Sequence, residues 1–289
     1  NRLFQRRIIM DDQSLFELDG KEIQETFFKA LRNDAQSMYV IAMLLKEKQR
    51  PDDAIAWLKK AADQQYASAQ YELANCYYAG DGIEVDEKKS FELYEAAAKN
   101  GHADAANNLA DMYLNGESVE IDEEKALEWF TYAATKGVVE AMFTLGIMYE
   151  QGLGTVVDEA RAYNYYEQSA NGGYDDAQYR LGCIYLEGLL GEVVDGQKAL
   201  HWFETAAEQF HIDAIYNLGY LYEKGIAVVQ DGSKAIAYYK QAALLGDYQA
   251  KVNLAHMYET GDCVPRNEEE ANKWHAAAQA QLEEANEEW

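Results

Sequence analysis

Ala141-Met142-Phe143-Thr144-Leu145-Gly146-Ile147-Met148-Tyr149-Glu150-Gln151-Gly152 returns later in the chain as Ala214-Ile215-Tyr216-Asn217-Leu218-Gly219-Tyr220-Leu221-Tyr222-Glu223-Lys224-Gly225, with Ala, Leu-Gly, Tyr and Gly at the same spacing. Working outward, the alanine recurs at Ala69, Ala105, Ala141, Ala177, Ala214 and Ala250, at intervals of 36, 36, 36, 37 and 36 residues. The same register carries Leu73, Leu109, Leu145, Leu181, Leu218 and Leu254, then Tyr77, Tyr113, Tyr149, Tyr185, Tyr222 and Tyr258, and finally Gly80, Gly116, Gly152, Gly188, Gly225 and Gly261. The longer interval falls where Gly188-Leu189-Leu190-Gly191 adds a residue to a turn. A fixed period of this length marks a solenoid, in which each unit covers the apolar flank of the next.

Each unit reads as two helices. Ala105, Leu109 and Tyr113 stand at i, i+4 and i+8 on one helical face, and Gly116 stops that helix. Asp86, Asp122, Asp158, Asp195 and Asp231 then precede a second helix, where a carboxylate can accept the orphan N–H groups; Asn267 takes that place in the last unit. The second helix runs Lys125-Ala126-Leu127-Glu128-Trp129-Phe130 and closes on Ala133-Ala134, small residues that admit a close neighbour. Only Pro51 and Pro265 interrupt the chain, which favours helix.

The pattern Ala-x3-Leu-Gly-x2-Tyr-x2-Gly, intact at Ala141 and at Ala214, with Lys234-Ala235-x2-Tyr238-Tyr239-x2-Ala242-Ala243 as its second half, resembles the Sel-one-like repeat, a relative of the tetratricopeptide repeat (TPR) with a longer inter-helix turn. The fold expected is all-α, a right-handed α/α superhelical solenoid of about seven helix-turn-helix repeats. Residues 1–33 read as an N-terminal segment and capping helix, 34–68 as a degenerate TPR-like repeat, 69–278 as six Sel-one-like repeats and 279–289 as the acidic end of a C-terminal capping helix. In the degenerate unit Ile41, Ala42 and Leu45 fill the Leu, Gly and Tyr columns. Terminal units have one neighbour only, so Gln24 to Leu31 is expected to cap the stack with Phe27 and Phe28 facing inward, while Ala271 to Trp289 forms a solvated final helix.

Composition bounds the function. Hydrophobic residues make up 48% of the 289-residue chain and aromatics 12%, enough for a core. With 25 basic and 51 acidic residues the net charge is −26, which argues against nucleic acid and steers basic proteins toward the surface, though the same charge also serves solubility. Cys76, Cys183 and Cys263 show no disulfide or zinc spacing, which suits a reducing compartment. No apolar run reaches the roughly 18 residues of a membrane span. The opening Asn1 to Ile9, with Arg2, Arg6 and Arg7, lacks the apolar core of a signal peptide, and Met10 could be a start. The expected location is the cytoplasm, or the periplasm or exterior if a leader had been removed.

No catalytic, cofactor or metal residue stands out. His102, His201, His211, His256 and His275 form no His-Glu-x2-His pair and read as surface or packing residues. Gly152-Leu153-Gly154 lacks the Lys-Ser/Thr sequel of a phosphate loop. The resemblance implies instead that first helices line a concave side, with the positions two and six after the leading alanine turned into it. The first of these columns holds Tyr39, Tyr71, Asn107, Phe143, Tyr179, Tyr216 and Val252; the second holds Met43, Asn75, Asp111, Ile147, Cys183, Tyr220 and His256. An exposed apolar surface marks binding, whereas tight curvature would bury these rings against adjacent units. Acidic residues flank the columns, Asp104, Glu140, Asp176 and Asp213 at the start of first helices and Glu150, Glu187, Glu223 and Glu259 near their ends.

The function expected is a non-enzymatic protein–protein interaction scaffold or adaptor that grips a protein or peptide with basic and apolar anchors. The alternative is an immunity protein that occludes a bacterial toxin or effector enzyme, motivated by the acidic surface. Oligomeric state is left open.

Overall fold

The computed structural model describes residues 20–287; the expectations for the segment before Gly20, with Arg2, Arg6, Arg7 and Met10, and for Trp289 lie outside the described residues. Among the described residues there are fifteen α-helices and no strand, an all-α solenoid of helix-turn-helix repeats. They fall into two compact units that divide between Ala141 and Met142. The first holds α1 (Gly20–Leu31), α2 (Ala35–Glu47), α3 (Pro51–Asp63), α4 (Ala67–Ala79), α5 (Glu87–Lys99), α6 (Ala103–Asn115) and α7 (Glu123–Thr135), each packed on the next. The second holds most of α8 (Val139–Gln151), then α9 (Glu159–Asn171), α10 (Asp175–Glu187), α11 (Gly196–Glu208), α12 (Ile212–Lys224), α13 (Gly232–Leu244), α14 (Tyr248–Thr260) and α15 (Glu268–Glu287).

The hairpins from α4–α5 to α12–α13 each close on one large buried ring. In the second unit Phe203 of α11 is fully buried and lies so near the α10 backbone that a Cβ on Gly182 would stand 2.6 Å from its ring. Tyr239 of α13 stands in the same relation to Gly219 of α12, at 2.7 Å. This close approach is why the column is confined to Gly or Ala, and why at Gly182 and Gly219 a Cβ would displace the facing ring. In the first unit the column carries Ala74 and Ala110, in register with Tyr94 of α5 and Phe130 of α7.

The turn after each first helix is a repeated device. At α10 the Asp195 N–H donates to the Tyr185 carbonyl at 2.8 Å, and Asp195 Oδ1 accepts the Gln197 and Lys198 N–H groups at 3.1 and 3.0 Å. The Lys198 ammonium then sits 4.5 Å from the Tyr185 ring centroid, a cation–π contact. Asp231, Lys234 and Tyr222 repeat the set after α12, as do Asp122, Lys125 and Tyr113 after α6 in the first unit. The Lys125 ammonium and backbone N–H hold the Asp122 carboxyl below the usual carboxylate range. The basic residue three places after each Asp thus serves both the cap and the tyrosine of the preceding helix.

Phe27 is buried against Trp57, edge to face at 6.1 Å between centroids. Phe28 is 56% exposed and does not face inward as expected. Adjacent helical residues diverge by roughly 100°, so a narrow stripe takes one of such a pair.

The second residue after α9, α11 and α13 turns through left-handed backbone. Gly173 and Gly246 serve this purpose in the second unit, but between α11 and α12 the position is Phe210, at φ +64° and 65% exposed. A side chain pays there for conformation and gains little from burial, since an L-residue in this region costs roughly 1–2 kcal/mol and glycine does not. Phe210→Gly is therefore expected to stabilise the protein by about 0.5–1 kcal/mol, less than the full strain because glycine gains freedom in the unfolded chain. A lowered urea midpoint for this variant would contradict the strain argument.

Candidate functional site

The first-helix columns share one condition. In the first unit Tyr39, Tyr71, Asn107, Met43, Asn75 and Asp111 are all half-buried; in the second, Phe143, Ile147, Tyr179, Cys183 and Tyr216 are half-buried and Tyr220 is 38% exposed. Each of these rings keeps part of its surface exposed.

In the second unit the ring of Tyr179 (α10) leans on Phe203 at 5.8 Å and stacks on His211 at 4.7 Å. Phe143 (α8) packs likewise between Tyr166 and Tyr174, at 5.5 and 5.3 Å, and Tyr216 (α12) rests on Tyr239 at 5.5 Å. These partners come from the second helix of the same repeat and from the residue that opens the next one. Hydrogen bonds join consecutive first helices: the Asn217 amide donates to the Tyr179 hydroxyl at 3.3 Å and the Asn253 amide to the Tyr216 hydroxyl at 3.1 Å. Burial pushes the Tyr179 hydroxyl well above its ordinary pKa and raises the Cys183 thiol.

In the first unit Tyr71 (α4) stacks on His102 at 4.3 Å and leans on Tyr94 at 6.0 Å, while Tyr39 (α2) meets Tyr66 at 5.6 Å. The Tyr94 hydroxyl donates to Asn75 Oδ1 at 2.6 Å, and the Asn107 amide to Asp111 Oδ2 at 3.3 Å. Asp111 is pushed up to about 6, first by burial and then by the charge of Glu117.

His102 and His211 are packing residues with a further task. Their Nδ1 atoms accept the Ala105 and Ala214 N–H groups at 3.2 Å, capping α6 and α12 while the rings stack on the tyrosines. A neutral imidazole is needed for that, and burial holds the His102 pKa below its ordinary value.

The flanking glutamates separate. Glu187 is exposed. Glu223 is only 7% exposed: its carboxylate accepts the Tyr239 hydroxyl at 2.7 Å and pairs with Lys224, so it braces the hairpin and does not stand free at a rim. Glu150 accepts the Tyr166 hydroxyl at 2.7 Å and pairs with Arg180 of the next first helix. Burial comes first, and the Glu150 bond second, in raising the Tyr166 hydroxyl. The within-chain signal for this was present in the sequence. Where the second helix offers Phe130 or Phe203, the matching first-helix position is Leu114 or Leu186; where it offers Tyr166, Tyr239 or His275, that position is Glu150, Glu223 or Glu259. His275 Nε2 lies 3.5 Å from Glu259.

Half-open rings, amides and carboxylates can grip side chains, and among the described residues no group of three or more His, Cys, Asp or Glu side chains is placed to hold a metal ion. No described helix is long and apolar enough to cross a membrane.

The Sel1 repeat profile matches residues 47–66, 67–102, 103–138, 139–174, 175–209, 212–247 and 249–279. Among solved structures, c5321, a protective antigen present in uropathogenic Escherichia coli strains displaying an SLR fold, is similar at 26% identity and a TM-score of 0.72. That alignment covers 91% of this chain, which spans 65% of the c5321 chain. A Sel1 repeat protein from Oxalobacter formigenes is 26% identical with a TM-score of 0.76, over 84% of this chain and 99% of its own. The immunity protein PA5088 from Pseudomonas aeruginosa shares the fold at 21% identity and a TM-score of 0.50, over 75% of this chain and 81% of that one. A search of curated proteins finds no match.

Proposed function

The chain belongs to the Sel1-repeat family, whose members generally mediate protein–protein interaction, and from that premise we propose that it is a non-enzymatic scaffold whose first helices bind a protein or peptide segment. The observation that carries this reading is the half-open aromatic column. Rings held by Phe203, Tyr239 or Tyr166 have already lost their rotamer freedom, so a guest that covers the surface they still expose gains apolar contact at low entropic cost. The net charge of −26 favours a guest with lysine or arginine beside its apolar anchors, mainly through encounter rate and selectivity.

Tyr220 is the residue on which to test it. Tyr179 and Tyr216 also bridge repeats, so truncating them would perturb packing together with binding. Tyr220 carries the exposed ring of the set. Capture from the native extract by the full chain, identified by mass spectrometry and then measured by titration, should yield a protein whose affinity falls about tenfold or more in Tyr220→Ala, as for an aromatic anchor, with the melting temperature unchanged. Saturable capture that Tyr220→Ala leaves untouched would sink the assignment of this face. A captured toxin or effector enzyme that loses activity on binding would make the scaffold an immunity protein, the reading that the acidic surface favours.

A further inference from the structure

In the first unit a cavity of about 330 Å³ opens beside the C-terminal halves of α4 and α6, lined by Tyr78, Tyr94, Asn108, Asp111, Met112 and Glu117 among others. Its charged lining groups are both acidic. Two carboxylates, Asp111 and Glu117, face it together with the phenol oxygens of Tyr78 and Tyr94 and the side-chain amides of Asn108 and Asn115. The internal bonds leave acceptor capacity over: Tyr78 donates to Glu117 Oε2 at 3.4 Å, Tyr94 donates away to Asn75, and Asp111 receives one long bond from the Asn107 amide at 3.3 Å. The charge that Asp111 feels is the like charge of Glu117, and no cation of the described residues pairs with either carboxylate. Withdrawing a carboxylate from water beside a second one costs stability, and the folded chain supplies nothing opposite in sign to offset it.

We propose that this cavity receives the charged head of a lysine or arginine side chain of the protein partner, with Asp111 and Glu117 as counter-ions and the rings of Tyr78 and Tyr94 as walls. The assignment rests on the interaction reading above. A cation between tyrosine faces gains from their quadrupoles, and the methylene stem behind it can lie along Met112. The net charge of −26 brings such a partner to the surface; the cavity then selects the side chain.

The test uses the full chain and small head-group probes in physiological salt, which screens exposed carboxylates. Butylguanidinium and n-butylammonium, followed by amide and carboxyl NMR, should shift resonances at Asp111, Glu117, Tyr78 and Tyr94, while the neutral isostere butylurea should not. Asp111→Asn should weaken binding by about tenfold, the loss of one charge-assisted contact. Binding should also weaken from about pH 7.5 to about pH 5, where Asp111 takes up a proton; the groups facing it are the Glu117 carboxylate and the Tyr78 and Tyr94 hydroxyls, both raised from the ordinary phenol value. Equal shifts from butylurea, or undiminished binding to Asp111→Asn, would overturn the proposal.

Stability gives an independent readout. The Asp111 pKa is raised in the folded state to about 6, so between the ordinary carboxylate range and that value the folded chain holds more protons than the unfolded one, and stability falls as pH rises through this window. Asp111→Asn should therefore raise the melting temperature at neutral pH by about 2–4 °C and lose that gain below about pH 4. A lowered melting temperature at neutral pH would mean that the acid is kept for the fold, against the proposal. The two readings fail separately. A partner retained undiminished by Asp111→Asn removes the pocket and leaves the scaffold; a probe seated in the pocket of a chain that retains no protein removes the scaffold and leaves the pocket.

Discussion

Phe203→Ala is expected to cost about 3–5 kcal/mol, the range for truncating a fully buried aromatic. The side chain is wholly buried, and the surface beneath it is Gly182, which has no side chain that could relax into the space left behind. The loss is not confined to the core. Tyr179 leans on Phe203, and without that support its stacking on His211 and its bond from Asn217 lose their fixed geometry, so one substitution ties hairpin stability to the order of the candidate binding face. Urea unfolding gives the magnitude, and amide exchange across α10 and α11 locates it, which matters because repeat arrays need not unfold as one unit. Phe203→Leu should recover most of the loss. A cost below about 1 kcal/mol for the alanine variant would show that the hairpin can collapse onto the gap, and close ring-to-backbone packing would no longer account for the glycine column.

Tyr239→Phe is expected to cost about 1.5–3 kcal/mol, because the hydroxyl donates to a charged acceptor that water hardly reaches. Glu223 is buried and would keep Lys224 alone as its partner. Tyr166→Phe should cost less, since Glu150 is half-buried and retains the Arg180 guanidinium. The discriminating variant is the double substitution Tyr239→Phe with Glu223→Leu. It copies the pairing the chain already uses at Phe203 with Leu186 and at Phe130 with Leu114. Replacing both members of a buried polar pair by apolar groups is close to neutral, so the double variant should be more stable than Tyr239→Phe alone. If it is less stable, Glu223 contributes something beyond accepting the tyrosine hydroxyl, and the bracing role assigned to it is wrong.

Much of the fold was legible because it is local and periodic. The Ala, Leu, Tyr and Gly columns place one stripe on the first helices from α4 to α14, and the Asp column caps the second helices from α5 to α13 by a bond that spans three residues, as at Asp122 and Lys125. The matching of Phe with Leu, and of Tyr166, Tyr239 and His275 with Glu, was written in the chain as well, with Tyr94 opposite Tyr78 as the exception, but it becomes legible only when two columns about sixteen residues apart are compared in pairs. Reading the glutamates as one column hid it. The cavity at Asp111 had no column to announce it: Tyr78 stands where other repeats carry Leu or Glu, and Glu117 lies in a turn.

By itself, then, the sequence determined the all-α repeat, the glycine stops of the first helices and the aspartate caps of the second, since these follow from contacts within one period and from backbone groups that must find partners nearby. The tertiary structure decided which polar groups the fold consumes and which it leaves for a guest. It set Glu223 inside and Glu187 outside, gave His102 and His211 a cap as well as a ring contact, turned Phe28 outward while Phe27 went in, and left two carboxylates facing one cavity with no cation of the described residues beside them. The reason is that a side chain's exposure depends on what the facing helix and the next repeat place against it, and those neighbours are fixed only when the hairpins stack.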